Sequence, residues 1–343
     1  MNWLEHHWYR ITPLHLLLLP LSLLFGLLAA LRRWCYRLGL LPSVGLPVPV
    51  IVVGNITVGG SGKTPLVLWL ADFLRAQGMH PGIISRGYGG SANMPMAVTA
   101  ASDANIVGDE PLLLARRSGD TCPVWVGHDR AATAQALLTA HPACNVLICD
   151  DGLQHYRLRR DLEIAVVDGE RRFGNGLLLP AGPLRESLSR LDSVDAIVIQ
   201  ESGVGARRAV PAHRNQEKTF HMKLEGAVFY NLKNPAIHAT PTELAGQKCH
   251  AIAGIGNPQR FFDHLQDLGL TVTSHVFADH HRFEQQELTQ LAELADAEAI
   301  FMTEKDAVKC LAFANEKFWV LPVAAQVDAE LGKMILQKLS SVP

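Results

Sequence analysis

The sequence predicts an α/β protein with a mainly parallel sheet. Short apolar runs alternate with amphipathic stretches such as residues 129–140, which is typical of buried parallel strands joined by helices. The first series of predicted strands covers residues 48–53, 82–85, 124–126, 146–149, 164–167 and 196–199. A second series predicts a smaller α/β domain, with strands at 249–253, 271–277, 299–303 and 318–321 and helices at 258–268 and 284–295.

Composition and chain length favour two folded domains behind an apolar segment. Of 343 residues, 48% are apolar and 19% charged, which excludes a disordered chain. A polar, basic stretch at 201–218 marks a boundary, so we expect an N-terminal segment at 1–41, a core domain at 42–218 and a second domain with a short β linker at 219–343. The net charge of −2 gives no argument for a nucleic-acid partner. Six scattered cysteines indicate reduced side chains in a cytosolic protein.

The most informative segment is a glycine-rich loop between the first predicted strand and a helical pattern. Its glycines allow backbone N–H groups to surround the β- and γ-phosphates of a nucleotide, and the helix N-terminus adds partial positive charge. We expect Lys63 to reach those phosphates and Thr64 to place its hydroxyl on Mg²⁺. A glycine-rich turn without a nucleotide is the alternative. The strand and helix favour a P-loop NTPase-like core with a loop formed by Thr57, Val58, Gly59, Gly60, Ser61, Gly62, Lys63 and Thr64.

The N-terminus contains an apolar run at residues 13–31 without Asp, Glu, Lys or Arg. Basic and tryptophan residues flank the run, and such residues suit the headgroup region of a membrane. Because the P-loop needs cytosolic ATP, the simplest interpretation is a membrane-associated helix that lies in the interface. A true membrane span and a buried core helix are the alternatives, since a run of this length discriminates poorly between them.

Two acidic motifs are candidates for the chemistry. Asp150 and Asp151 follow the predicted strand at 146–149, where P-loop proteins hold Mg²⁺, although Asp-Asp-Gly is also an ordinary turn sequence. Asp109 precedes an apolar helical stretch and is either a helix N-cap or a general base. After the predicted strand at 271–277, an Asp-His-His sequence places His280 either on the surface or beside a base whose properties it tunes.

Two other motifs argue against different nucleotide-binding classes. Thr303-Glu304-Lys305-Asp306 resembles the guanine-reading sequence of GTPases, but its lysine is adjacent to the aspartate instead of two residues before it. The turn Gly254-Ile255-Gly256 lacks the third glycine of a dinucleotide fingerprint, so we expect an ordinary strand–helix turn. These departures argue against a GTPase and against a dinucleotide-binding protein.

The motifs together resemble one family over nearly the whole chain. The sequences GNITVGGSGKTP, SRGYGG, GDEP, DDGLQH, RRFGNG with LPAGPLRE, and TEKDAVK look like those of the tetraacyldisaccharide 4'-kinases of lipid A biosynthesis. The resemblance implies transfer of the γ-phosphate of ATP, with Mg²⁺, to the 4'-hydroxyl of a tetraacylated glucosamine disaccharide 1-phosphate. It also implies a location on the cytoplasmic face of the inner membrane, with two α/β domains around the nucleotide. A membrane-docked P-loop ATPase that acts as a conformational switch is the alternative.

Roles for individual residues follow from the same resemblance. The phosphate-binding loop corresponds to Thr57–Thr64, and the family tolerates Ser or Thr at position 57. The resemblance makes Asp109 the catalytic base, assisted by His280 from the second domain, and it brings Lys63 and Asp151 into the catalytic set. Thr64 and Asp150 correspond to metal ligands. Two further residues fall near the substrate and the metal, namely Arg185 and Glu186.

Overall fold

The computed structural model describes residues 7–9, 12–201, 216–294 and 297–341. The helices are α1 Leu14–Arg37, α2 Lys63–Ala76, α3 Ala104–Val107, α4 Asp109–Ser118, α5 Arg130–Ala140, α6 Pro241–Leu244, α7 Pro258–Asp267, α8 Gln285–Leu294, α9 Glu304–Cys310 and α10 Ala329–Ser340. The strands are β1 Val50–Gly54, β2 Pro81–Ser85, β3 Met96–Val98, β4 Val124–Val126, β5 Val146–Asp150, β6 Leu162–Asp168, β7 Ala196–Gln200, β8 Thr219–Glu225, β9 Phe229–Asn231, β10 His238–Ala239, β11 Cys249–Ala253, β12 Val272–Val276, β13 Ala299–Thr303, β14 Phe318–Leu321 and β15 Ala324–Val327. The alternation of strands and helices confirms the predicted fold class.

The larger sheet forms the first lobe of the molecule. Among the described residues it has nine strands in the order β15-β8-β7-β6-β1-β5-β2-β4-β3. The strands from β8 to β4 are parallel to their neighbours, whereas β3 and β15 are antiparallel edges. Strand β1 lies in the middle, so the loop that follows it emerges at the centre of the sheet's carboxyl edge, where α/β proteins bind ligands.

Both faces of this sheet are covered. The alternating side chains of β1 pack against α2, α4 and α10 on one face, while α5 and part of the segment after β6 cover the other. All five residues of β1 and all five of β5 are buried. These strands are apolar along their length because both of their faces are buried.

The smaller sheet forms the second lobe. Its order is β10-β9-β14-β13-β11-β12, and the four strands β14, β13, β11 and β12 are parallel. Helix α7 packs on one face, while α8 and α9 pack on the other. The predicted strands at Cys249–Ala253, Ala299–Thr303 and Phe318–Leu321 have the bounds that the structure shows.

The sequence-based boundary at residue 218 does not coincide with the division between the sheets. Strand β8 pairs in parallel with β7, so residues 219–225 belong to the first lobe. The chain also returns to that lobe after β14: β15 pairs with β8, and α10 contributes Leu331, Ile335 and Leu339 to the hydrophobic core that includes α2. The stretch expected to mark the boundary is largely 202–215, which lies outside the described residues.

Helix α1 stands on the first lobe with most of its apolar surface exposed. It is long and apolar enough to cross a membrane by length and composition, and only 11% of its most apolar window is buried. The alternative of a buried core helix is therefore wrong. The helix contacts the lobe through Ser22, which donates a hydrogen bond to the carbonyl of Leu178, and Gly26 allows Leu178 to approach closely. Of the expected flanking residues, Trp3 and Arg10 lie outside the described part of the chain.

Candidate active site

The loop between β1 and α2 has the conformation of a phosphate-binding loop. Gly59 and Gly62 have positive φ angles of 102° and 81°, which glycine adopts without steric cost. The side-chain amide of Asn55 donates to the carbonyl of Gly59 at 3.2 Å and to the hydroxyl of Ser61 at 3.1 Å. The loop is thus fixed from inside, just before the N-terminus of the 14-residue helix α2.

A second segment fixes the start of this loop and explains Thr57. Thr57 forms an antiparallel bridge with Leu184, and the backbone N–H of Val58 donates to the carbonyl of Pro183 at 2.9 Å. The N–H of Arg185 donates in return to Ile56 at 2.7 Å. Position 57 is therefore extended, a conformation that suits a β-branched residue.

The Lys63 side chain is directed to the acidic pair after β5. Its Nζ lies 3.5 Å from Oδ1 of Asp151, and Nη1 of Arg185 lies 3.1 Å from Oδ2 of the same carboxylate. Burial favours a higher pKa for Asp151, but the charges of Lys63 and Arg185 outweigh it and hold the pKa well below its ordinary range. The structure thus brings together three predicted site residues, with Asp151 ionised.

Asp150 has a different environment from its neighbour. Asp150 is 1% exposed, Oδ2 accepts a hydrogen bond from the hydroxyl of Ser85 at 3.1 Å, and Oδ1 has no hydrogen-bond partner in the described part of the chain. Burial, followed by the charges of Glu110 and Asp151, raises the pKa of Asp150 to about 7. A buried carboxylate with a free oxygen fits a cation, and Mg²⁺ is the cation that P-loop proteins hold at this position.

Asp109 and His280 meet across the two lobes. Asp109 is the first residue of α4, and the N-cap position is Gly108, so the capping alternative is wrong for Asp109. His280 follows β12 with φ of 60°, and its Nδ1 lies 2.9 Å from Oδ2 and 3.1 Å from Oδ1 of Asp109. Burial opposes ionisation of Asp109, but the hydrogen bond from His280 and the charge of Lys305 hold its pKa below the ordinary value.

Glu186, predicted to lie near the substrate and the metal, is part of a buried network next to Arg185. It accepts hydrogen bonds from Gln154 at 3.0 Å and from the hydroxyl of Tyr156, and it lies 3.6 Å from Nε of Arg190. Only 7% of Glu186 is exposed. Through Gln154, which also accepts a hydrogen bond from Arg185 at 3.5 Å, Glu186 is linked to the group that contains Asp151.

The structure also places two residues at the site to which the sequence analysis gave no role there. Lys305, in the first turn of α9, lies 3.3 Å from Nε2 of His280. The turn of Gly256 joins β11 to α7, as expected, but it also touches the P-loop: a Cβ on Gly256 would lie 2.5 Å from the backbone nitrogen of Gly60. Both residues follow a predicted strand. Because the carboxyl ends of parallel strands lie at one edge of a sheet, this position was the signal in the sequence that could have placed them near the site.

Comparisons with known proteins agree with this site. A family model described as tetraacyldisaccharide-1-P 4'-kinase matches residues 14–340. The chain is 53% identical to a tetraacyldisaccharide 4'-kinase of Azoarcus sp. over 97% of this chain and 94% of the relative, and 49% identical to one of Methylobacillus flagellatus over 99% and 96%.

A solved structure gives the same result for the fold. The kinase from Aquifex aeolicus, crystallised in complex with ATP, aligns with a TM-score of 0.77 at 30% sequence identity, covering 95% of this chain and 99% of that one. The match extends over both lobes. The chain therefore belongs to the tetraacyldisaccharide 4'-kinase family.

Proposed function

We propose that this chain transfers the γ-phosphate of ATP to the 4'-hydroxyl of a tetraacylated glucosamine disaccharide 1-phosphate, giving a lipid A precursor. Family membership supports the reaction class. The observation that carries the mechanism is the Asp109–His280 contact of 2.9 Å beside a P-loop. A P-loop alone supports nucleotide binding, whereas a buried carboxylate fixed by an imidazole supplies a base for an attacking hydroxyl.

Asp109 accepts the proton of the acceptor hydroxyl in this mechanism. A sugar hydroxyl has a pKa far above 7, so a base must take its proton as the oxygen attacks phosphorus. The low pKa of Asp109 keeps it ionised and available. His280, as a hydrogen-bond donor at 2.9 Å, fixes the orientation of the carboxylate.

The charge of the transferred group is balanced by Lys63 and Arg185. Nζ of Lys63 lies 3.5 Å and Nη1 of Arg185 lies 3.1 Å from the carboxylate of Asp151. This carboxylate therefore holds both side chains in place. The N-terminus of α2 and the glycine N–H groups add further positive potential. These groups stabilise the transition state by position and charge.

Thr64 and Asp150 are the residues that would hold magnesium in this mechanism. Within the described residues there is no cluster of three His, Cys, Asp or Glu side chains that could hold a metal alone. Mg²⁺ ordinarily takes few protein oxygens and completes its coordination with phosphates and water. When bound, it would neutralise phosphate charge, and the free Oδ1 of Asp150 suits a direct or water-mediated contact.

The acceptor explains the exposed helix α1. A lipid with four acyl chains stays in the bilayer, because each buried methylene contributes about 0.8 kcal/mol. Leu17 and Leu23 are 77% and 71% exposed on α1, and Arg33 and Arg37 lie at its C-terminal end. This arrangement supports a helix inserted at the cytoplasmic face of the inner membrane, where ATP is available. The partners of the protein are then this lipid and that surface.

A phosphate balance tests the proposal. The protein is incubated with γ-labelled ATP and vesicles that contain the tetraacyl acceptor, and label is counted in extracted lipid and in water. We expect label in the lipid, equal to the ADP formed, and almost none as free phosphate. ATP hydrolysis without lipid labelling would replace the kinase with the ATPase alternative.

A further inference from the structure

The ammonium group of Lys305 lies on the side of the His280 ring opposite to Asp109. Its Nζ is 3.3 Å from Nε2 of His280, 3.1 Å from Oε1 of Glu110 and 3.2 Å from Oδ1 of Asp279. Its side chain is 15% exposed. The lysine therefore contacts three groups from two segments: Glu110 on α4, and Asp279 and the ring of His280 in the turn after β12.

The donors and acceptors at this point allow one arrangement. An ammonium group has three donors and no acceptor, and here it faces two carboxylate oxygens and one ring nitrogen. For its hydrogen bond to His280, Nε2 must carry no proton. The ring proton of a neutral imidazole is then on Nδ1, which lies 2.9 Å from Oδ2 of Asp109 and donates to it.

We propose that Lys305 is a positioning residue that holds His280 as the neutral Nδ1–H tautomer and directs that proton to Asp109. This inference rests on the proposed kinase reaction for its catalytic meaning. The tautomer itself is a property of the resting protein.

The charges around His280 show why a cation is needed there. Its ring faces Asp109 at 2.9 Å, Asp279 at 3.9 Å, Lys305 at 3.3 Å and the ring of Tyr88 at 5.0 Å. Between these carboxylates, the ammonium of Lys305 is the donor that faces Nε2 of the ring. Burial lowers the pKa of Lys305, but Glu110, Asp109 and Asp279 outweigh it and keep the lysine charged.

The protonation state of His280 affects Asp109 directly. A neutral imidazole orients the carboxylate through one hydrogen bond and leaves it basic. An imidazolium at the same 2.9 Å would stabilise the carboxylate further, so it would accept the acceptor's proton less readily. Loss of Lys305 is therefore expected to lower kcat more than it changes the KM for ATP.

The first test is ¹⁵N NMR of the full chain in detergent micelles with labelled histidine. The signals of His280 are assigned by their loss in His280→Ala. We expect the neutral Nδ1–H pattern in the wild type near neutral pH. An Nε2–H tautomer or an imidazolium in the wild type would overturn the proposal, and this result does not depend on any variant or on the reaction catalysed.

The second test compares lysine variants on one helix. Lys305→Met removes the donor to Nε2, so the Nδ1–H pattern of His280 should be lost from the NMR spectrum and kcat should fall by about tenfold or more. Lys305→Arg, which keeps a charged donor, should restore much of the rate. Lys309→Met is the matched control, because Lys309 also forms a buried pair, 2.7 Å from Asp306.

Equal kcat values for Lys305→Met and Lys309→Met, with the Nδ1–H pattern of His280 unchanged in both, would refute the positioning role. If the wild type transfers no phosphate to lipid, the proposed function fails. The NMR result still decides the tautomer in that case.

Discussion

At the scale of single residues, the site depends on contacts between distant parts of the chain. Asp109 and His280 are 171 positions apart, and their hydrogen bond joins the start of α4 to the turn after β12. The residues alone left Asp109 open between cap and base, and only the family resemblance paired it with His280. Local sequence carries no signal for such pairing, because it depends on how two sheets face each other. Lys305 follows a predicted strand, which was a signal for its place near the site, but its contact with His280 could not be predicted from local sequence.

Replacement of Asp109 tests the base directly. Asp109→Asn keeps the shape of the side chain but removes its basicity, so kcat should fall by about 100-fold or more with a small change in the KM for ATP. His280→Ala should fall in the same class, and the double variant should be little worse than the more damaging single one. Steady-state kinetics with vesicle-bound acceptor measures all three.

Asp103→Asn is the matched control, because Asp103 caps the neighbouring helix α3 through the N–H of Asn105 at 2.8 Å. Near-normal rates in both single variants at the site would refute the Asp–His assignment. Multiplicative losses in the double variant would mean that the two residues act separately.

At the scale of elements, the parallel core was the most predictable part of the fold. Both faces of β5, β11, β13 and β14 are buried, so their sequences are mostly apolar. Such short apolar runs can be recognised from the sequence alone. Strands β8 and β15 were missed because they alternate between buried or half-buried and exposed side chains at one end of the sheet. Their pairing depends on the chain returning from the second lobe, which periodicity does not reveal.

Helix α1 gives a prediction at this scale. Leu17→Glu together with Leu24→Glu places two charges on its exposed face, where these leucines are 77% and 52% exposed. We expect the protein to leave the membrane pellet and its KM for vesicle-bound acceptor to rise by about tenfold or more, with ATP affinity unchanged. Sedimentation with vesicles and kinetics at varied acceptor measure both effects.

Gln286→Glu together with Gln337→Glu is the control, since it adds the same charge at exposed positions of α8 and α10. Equal membrane binding by the two double variants would remove the anchoring role from α1.

At the scale of the whole molecule, polar contacts hold the two lobes against each other at the site. Arg260 on α7 lies 2.7 Å from Asp168 at the end of β6, and Arg117 on α4 lies 2.8 Å from Glu304 on α9. Glu304 is 8% exposed, and its pKa is raised because burial outweighs the attraction of Arg117. Such pairs fix the orientation of the lobes more than they add stability.

Breaking one pair should therefore leave a buried charge without its partner. We expect Arg117→Met to lower the free energy of unfolding by about 1–3 kcal/mol, less than for a fully buried pair because Arg117 is partly exposed. Denaturant unfolding in detergent measures the change. Arg116→Met is the control, since the exposed side chain of Arg116 donates a hydrogen bond to the carbonyl of Ala100 at 3.1 Å. An equal loss in both variants would contradict the importance of the contact between the lobes.

In the proposed reaction, a P-loop site phosphorylates one hydroxyl of a membrane lipid. The most direct measurement is ³¹P NMR and mass spectrometry of the lipid recovered after incubation with ATP, Mg²⁺ and acceptor vesicles. We expect one added phosphate at the 4' position in the wild type, and loss of most product in Lys63→Ala, which removes the side chain that we propose contacts the phosphates. Unmodified lipid beside hydrolysed ATP, phosphate at another hydroxyl, or undiminished product in Lys63→Ala would contradict the proposed reaction.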